Sequence, residues 1–174
     1  MKKIEEQQFE INLINKDTDT SQFNCENEDL DNYFKKIVKQ NIRDNTTVCY
    51  GVFESLNNKK PIAFYTLSTS NVQAGEFLSV SKGVSKHQPV PVILLGRLAV
   101  DKAFQSRGIG EMLIFDAMEK THEIAQKIGC RALIVKAINE QANKFYKKYD
   151  FIDFPGENML MIEIKTISRL IDGN

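Results

Sequence analysis

Residues 92–138 constrain the fold more than any other stretch of this chain. The run at 92–100 is nearly continuous in apolar residues, interrupted only by Gly96 and Arg97, and reads as a strand covered on both faces. After a polar loop, residues 108–128 place Ile109, Met112, Leu113, Ala117, Ile124 and Ile128 on one helical stripe, with Gly129 as its stop. Residues 132–138 are again apolar and β-branched. Strand, helix and strand in that order require a right-handed crossover between two parallel strands.

The remaining elements alternate around this unit. Residues 9–14 put Phe9, Ile11 and Leu13 on one face of a half-buried strand. A helix follows over 27–43, capped by Asn27 or Asp29, with Leu30, Phe34, Ile37, Val38 and Ile42 on its apolar face. Its acidic start (Glu28, Asp29, Asp31) and basic end (Lys35, Lys36, Lys39, Arg43) suit the helix dipole. Residues 48–53 and 62–71 form a hairpin, and 75–91 a loop with short structured pieces. A short helix is expected over 141–149, and the last strands over 151–154 and 159–164. The order β-α-β-β-β-α-β-α-β-β predicts a mixed α/β (α+β) fold in one domain, residues 1–174.

Composition excludes several classes. With 42% hydrophobic residues in 174, the core needs no disulfide or metal to hold it. Cys25, Cys49 and Cys130 stand far apart, and His87 and His122 are the only two histidines, so no metal site is expected and the thiols are free. No apolar run approaches the roughly 20 residues of a membrane span, and the start carries no secretory pattern, so a soluble cytoplasmic protein is expected. The 23 basic and 23 acidic residues balance, but the first 50 residues hold 7 and 10, leaving the later part net +3.

The loop between the apolar strand and the long helix carries the chemistry. Gly108 and Gly110 let backbone approach a ligand, and the free N–H groups of a first helical turn attract an anion, which points to a phosphate or pyrophosphate. The P-loop pattern is absent, and a dinucleotide fingerprint fails because Leu113 stands at its third glycine. Taken alone, the spacing fits a tight strand-to-helix turn equally well.

Leu98-Ala99-Val100 followed by Gln105-Ser106-Arg107-Gly108-Ile109-Gly110 resembles the acetyl-CoA site of the GNAT N-acetyltransferase family. Asn139-Glu140-Gln141-Ala142, then Phe145-Tyr146, is similar to a second element of that family; Asp150 stands where glycine is usual. The segments from Cys25 through Phe34 and from Leu94 through Asp101 resemble a narrower group, the GNAT toxins of toxin–antitoxin pairs.

The resemblance implies a mixed, mostly antiparallel sheet with one splayed parallel pair, flanked by helices, and acetyl-CoA as co-substrate without a metal. It implies that Gln105, Ser106, Arg107, Gly108, Ile109 and Gly110 cradle the pyrophosphate. Leu98, Ala99 and Val100 would pair with the pantetheine arm, a backbone N–H at Leu98 or Ala99 stabilising the oxyanion, and Asn139 and Phe145 would also contact the cofactor. Tyr146 would be the general acid; spacing alone makes it a core aromatic beside Phe145. No general base is assigned, since an α-amine already has a pKa of about 7.7–8.0. The implied acceptor is aminoacyl-tRNA, and the implied partners are a ribbon-helix-helix antitoxin and a second copy of the chain. A small amine or a protein amino group is the alternative acceptor, and a non-catalytic acyl-CoA-binding module a third reading.

Overall fold

The parallel crossover expected from residues 92–138 is present in the structure, a computed structural model describing residues 9–55 and 57–173. Among the described residues the strands are β1 Glu10–Leu13, β2 Val48–Phe53, β3 Ala63–Val72, β4 Val90–Val100, β5 Ala132–Lys136, β6 Ile152–Asp153 and β7 Met159–Glu163. They form one seven-stranded sheet in the order β1-β2-β3-β4-β5-β7-β6. The helices are α1 Glu28–Asn32, α2 Val38–Arg43, α3 Ala74–Leu78, α4 Ile109–Ala125, α5 Glu140–Lys147 and α6 Ile164–Asp172, with a π-helical turn, Tyr33–Ile37, joining α1 to α2. Pairing is antiparallel at β1–β2, β5–β7 and β6–β7, and parallel at β4–β5. The mixed, mostly antiparallel architecture is the one expected.

The chain divides into two compact units. The first comprises the chain up to Thr66 together with Arg97–Leu113. Here β1 runs antiparallel to β2, Leu13 opposite Tyr50. The expected inward face of Phe9, Ile11 and Leu13 is corrected: Leu13 is 54% exposed, and Ile14, just past the strand, is the residue buried. β1 is an edge strand, so burial on it is incomplete, and the chain turns inward at Ile14 instead. Gly51 makes room for that turn, since a Cβ there would lie 2.5 Å from Ile14 Cδ1.

Asn27, not Asp29, caps the first helix, accepting from the Leu30 N–H at 3.0 Å. Leu30, Phe34 and Val38 are buried as expected, but Ile37 is exposed. The π turn explains the error: Val38 N–H donates to Tyr33 O, one residue further back than in an α-helix, which rotates Ile37 off the apolar stripe. Phe34 stacks on Phe64 with ring centres 3.9 Å apart, and Phe23 meets both edge-on. Each fully buried ring of this kind contributes about 1.5–3 kcal/mol of transfer free energy.

The second unit comprises Leu67–Gly96 and Ile114–Asn174. Its parallel ladder matches Val92 with Ala132 through Leu95 with Val135, and β4 continues past it to Val100. Its core gathers Val72, Phe77, Val92, Ala132, Ile134, Phe154 and Met161. The buried Glu163 carboxylate takes the Ser81 hydroxyl at 2.5 Å and the Arg131 guanidinium at 3.2 Å, while Arg131 also donates to Lys82 O. This fastens the otherwise irregular segment after α3.

Three expectations need correction. The long helix ends at Ala125 rather than at Gly129, so Ile128 lies beyond it and is 58% exposed. Its buried stripe is Ile109, Leu113, Ile114, Ala117, Met118 and Thr121, the spacing of a true 3.6 period. Residues 164–172 form α6, which the strand reading of 159–164 did not anticipate.

Candidate active site

β4 ends at Val100, and the next residue fixes the loop. Asp101 N–H donates to Ile62 O at 2.8 Å, while its carboxylate accepts from Ala103 N at 3.0 Å and from Asn24 N at 3.0 Å. Lys102 N donates in turn to Asn24 O at 2.8 Å. A short acidic side chain is what this corner needs, because it caps the single 3₁₀ turn Lys102–Phe104 and still reaches a distant backbone. Asp101 closes the segment from Leu94 that carries the resemblance, but its tie to Asn24 has no sequence signal.

The expected phosphate cradle follows. Ser106 and Gly108 both have left-handed backbone, with φ of +62° and +80°. A Cβ at Gly108 would meet nothing within 4 Å, so glycine is required there by backbone angle and not by space. Gly108 O accepts the first helical bond, from Met112 N at 3.1 Å. The N–H groups of Ile109, Gly110 and Glu111 therefore have no acceptor within α4 and carry its positive dipole end. Ile109 is 2% exposed and anchors the turn, whereas residues 105–108 face solvent.

The side chains of the loop divide in role. Gln105, expected to supplement the phosphate site, donates its amide to Val100 O at 3.0 Å and Cys25 O at 3.3 Å, bracing the loop against the strand end. Arg107 is exposed, its guanidinium carbon 5.1 Å from the centre of the Phe104 ring. On the strand itself Ala99 is buried, while Leu98 and Val100 are half-buried. Within the first unit the structure thus brings 98–100 and 105–110 together.

The other expected residues lie on α5 in the second unit. Asn139 caps this helix, accepting from Ala142 N at 2.8 Å. Phe145 is half-buried, and Tyr146 is 6% exposed, their rings edge-on at 5.4 Å. Phe151 sits 5.5 Å from Tyr146, and Phe145 continues to Tyr149 and then to Phe115. Burial among these rings pushes the Tyr146 phenol well above its ordinary value, so it keeps its proton at neutral pH. Such a group is available as a proton donor and does not serve as a base. Asp150, at the position where the resemblance expects glycine, has φ of +64° and so keeps the backbone that glycine would favour.

No group of three or more histidine, cysteine, aspartate or glutamate side chains among the described residues is placed to hold a metal ion. The three cysteines are free. Cys130 is half-buried and precedes β5.

An acyl-CoA presents a pyrophosphate, and a loop with left-handed corners that opens a seventeen-residue helix suits that group. The acetyltransferase (GNAT) domain family matches residues 56–153. A tRNA-acetylating toxin of Mycobacterium tuberculosis (strain H37Rv) is 32% identical over 154 residues, covering 88% of this chain and 90% of that protein. The chain belongs to the GNAT acetyltransferase family. Among solved structures, the toxin AtaT complexed with acetyl-methionyl-tRNAfMet superposes with a TM-score of 0.85 at 26% identity, covering 94% of this chain and 99% of that one. A tyrosine-to-phenylalanine mutant of AtaT, bound to acetyl-CoA and to the C-terminus of the antitoxin AtaR, gives 0.81 at 26% identity over 95% of this chain and 99% of that one. As a GNAT acetyltransferase the chain uses acetyl-CoA as co-substrate for N-acetyl transfer. No helix among the described residues is long and apolar enough to cross a membrane.

Proposed function

We propose that this acetyltransferase transfers an acetyl group to the α-amine of aminoacyl-tRNA and thereby arrests translation, acting as the toxin of a toxin–antitoxin pair. The observation that carries the reading is the likeness to a tRNA-acetylating toxin along nearly the whole chain, with the same fold in a toxin complexed with an acetylated aminoacyl-tRNA. The whole chain acts as one domain in this reading.

In the proposed reaction the neutral amine attacks the thioester carbonyl, forming the C–N bond and an oxyanion. A backbone N–H at Leu98 or Ala99 takes the oxyanion charge. Collapse breaks the C–S bond, Tyr146 gives its proton to the departing thiolate, and the surplus amine proton, passed through solvent, restores the Tyr146 phenol. The N–H groups at 108–111 and the exposed Arg107 hold the pyrophosphate, with Gln105 and Ser106 shaping the loop. Asn139 and Phe145 act at the start and middle of α5 as further cofactor contacts. No metal enters the scheme.

The partners follow from the same reading. A small ribbon-helix-helix antitoxin covers the cofactor groove with a tail that folds on binding. The active form is a homodimer in the cytoplasm. Lys144 and Lys148 are exposed and available to tRNA phosphates, whereas Lys147 is engaged by Asp153 at 3.0 Å. A cell-free translation reaction tests the proposal: added protein stops synthesis only when acetyl-CoA is present. Arrest without acetyl-CoA, or none with it, contradicts the reading.

A further inference from the structure

Arg97 lies on β4, the central strand of the sheet, yet its side chain is exposed. Its guanidinium carbon stands over the Tyr33 ring, 3.5 Å from the ring centre, within cation–π range. Tyr33 is itself fixed. It is 3% exposed, opens the π-helical turn, and its hydroxyl accepts from Asn41 Nδ2 at 3.3 Å. The Arg97 backbone is held as firmly, its N–H donating to the buried Thr66 hydroxyl at 3.0 Å.

The guanidinium is thus positioned without being used. Among the described residues no carboxylate lies within ion-pair distance of it and no acceptor takes its N–H groups. Structural arginines normally find a carboxylate or carbonyl, as Arg131 does with Glu163 and Lys82 O. The guanidinium lies over Tyr33, and the side chain is exposed to solvent. Its fork geometry matches phosphate oxygens in two-pronged fashion, and the aromatic shelf has already removed much of the side chain's freedom. The π turn beneath it is a local irregularity of the kind that accompanies functional sites.

We infer that Arg97, laid on Tyr33, is a phosphate-binding residue for the 3′-terminal nucleotides of the acceptor RNA. The inference rests on the proposed aminoacyl-tRNA acceptor. It places Arg97 as a positioning residue: it orients the acceptor end immediately before the strand residues 98–100 and takes no part in proton transfer.

The test uses the full chain and an uncharged, fluorescein-labelled RNA hairpin ending in single-stranded CCA, with binding followed by anisotropy across a salt series. Arg97→Met keeps a flexible apolar chain over Tyr33 but has no charge. It weakens binding roughly tenfold or more and lowers the slope of log affinity against log salt by about one. Arg97→Lys keeps the slope while losing part of the affinity, because the point charge remains and the fork does not. Acetyl-CoA affinity and melting temperature stay at the wild-type level in Arg97→Lys. Unchanged affinity and slope in Arg97→Met, or losses that appear equally in acetyl-CoA binding, overturn the inference. A wild-type protein that binds the hairpin through Arg97 yet acetylates no charged tRNA contradicts the proposed function alone, and one that does not bind the hairpin contradicts the phosphate site.

Discussion

The backbone N–H of Asn24 donates to the Asp101 carboxylate at 3.0 Å, across 77 residues of chain. With the reciprocal bond from Lys102 N to Asn24 O, it fastens the start of the 101–110 loop to the segment leading into the first helix. Asp101→Ala removes both the 3₁₀ cap and this tie, and costs about 1.5–3 kcal/mol, the range for hydrogen bonds to a charged acceptor. Asp101→Asn keeps one side-chain oxygen and costs less. Urea unfolding of the two variants measures the difference, and equal stability would show that the tie contributes nothing.

Gly108→Ala isolates backbone angle from space. The added methyl meets nothing within 4 Å, so the cost is that of left-handed backbone at φ +80°, about 1–2 kcal/mol. If the loop relaxes to avoid that strain, the N–H groups at 108–111 turn away. The KM for acetyl-CoA then rises at least severalfold, while the variant still unfolds cooperatively. A KM that does not move would separate this loop from the cofactor.

Tyr146→Phe removes one oxygen from a buried ring and leaves the packing against Phe145 and Phe151 in place. Turnover is expected to fall by about 10²–10⁴-fold, the usual worth of a general acid, with acetyl-CoA binding retained. Isothermal titration and steady-state kinetics on the same preparation check both halves. Undiminished turnover assigns Tyr146 to the core instead.

Alkaline stability follows from the thiols. Burial first, then the neighbouring Asp31 side chain, pushes Cys25 up to about 11 from its ordinary 9.0, and burial pushes Cys49 and Cys130 up as well. The folded protein therefore holds protons that the unfolded chain releases. Stability is full below pH 9.0 and declines as pH rises from there toward 11. Urea midpoints taken at about pH 8 and about pH 10.5 should differ in that direction, and Cys25→Ala should narrow the gap. A flat profile contradicts the assignment.

Asp150→Gly should stabilise the protein by about 0.5–1 kcal/mol, because φ of +64° costs aspartate more than glycine. Thermal unfolding reads the effect, and a lower melting temperature would mean that the Asp150 carboxylate has a role of its own.

The parallel crossover and the long helix were legible because their periodicities are strong and unbroken. Where phase failed, a local backbone event was responsible. The π turn at Tyr33–Ile37 displaced Ile37, and the inward turn permitted by Gly51 exchanged Leu13 for Ile14. Sequence pattern carries no trace of an extra residue inserted into a helix. The glycine spacing showed the loop, but Ser106, a residue with no special preference for left-handed backbone, shares the strain with Gly108. The bracing of the strand end by the Gln105 amide has no sequence signal, since its donors and its reach fit a ligand contact as well. The pairing of Arg97 with Tyr33 had no local signature, since only the fold brings those two rings of donors and π electrons together.

Acetyl transfer to aminoacyl-tRNA is measured by incubating the protein with acetyl-CoA and a mixture of charged tRNAs, then releasing the amino acids and weighing them. An acetyl mass increment is expected on the amino acids of particular tRNAs, absent without acetyl-CoA and strongly reduced in Tyr146→Phe. Unmodified amino acids, from a protein shown to bind acetyl-CoA, would contradict it and direct the search to small amines or protein amino groups.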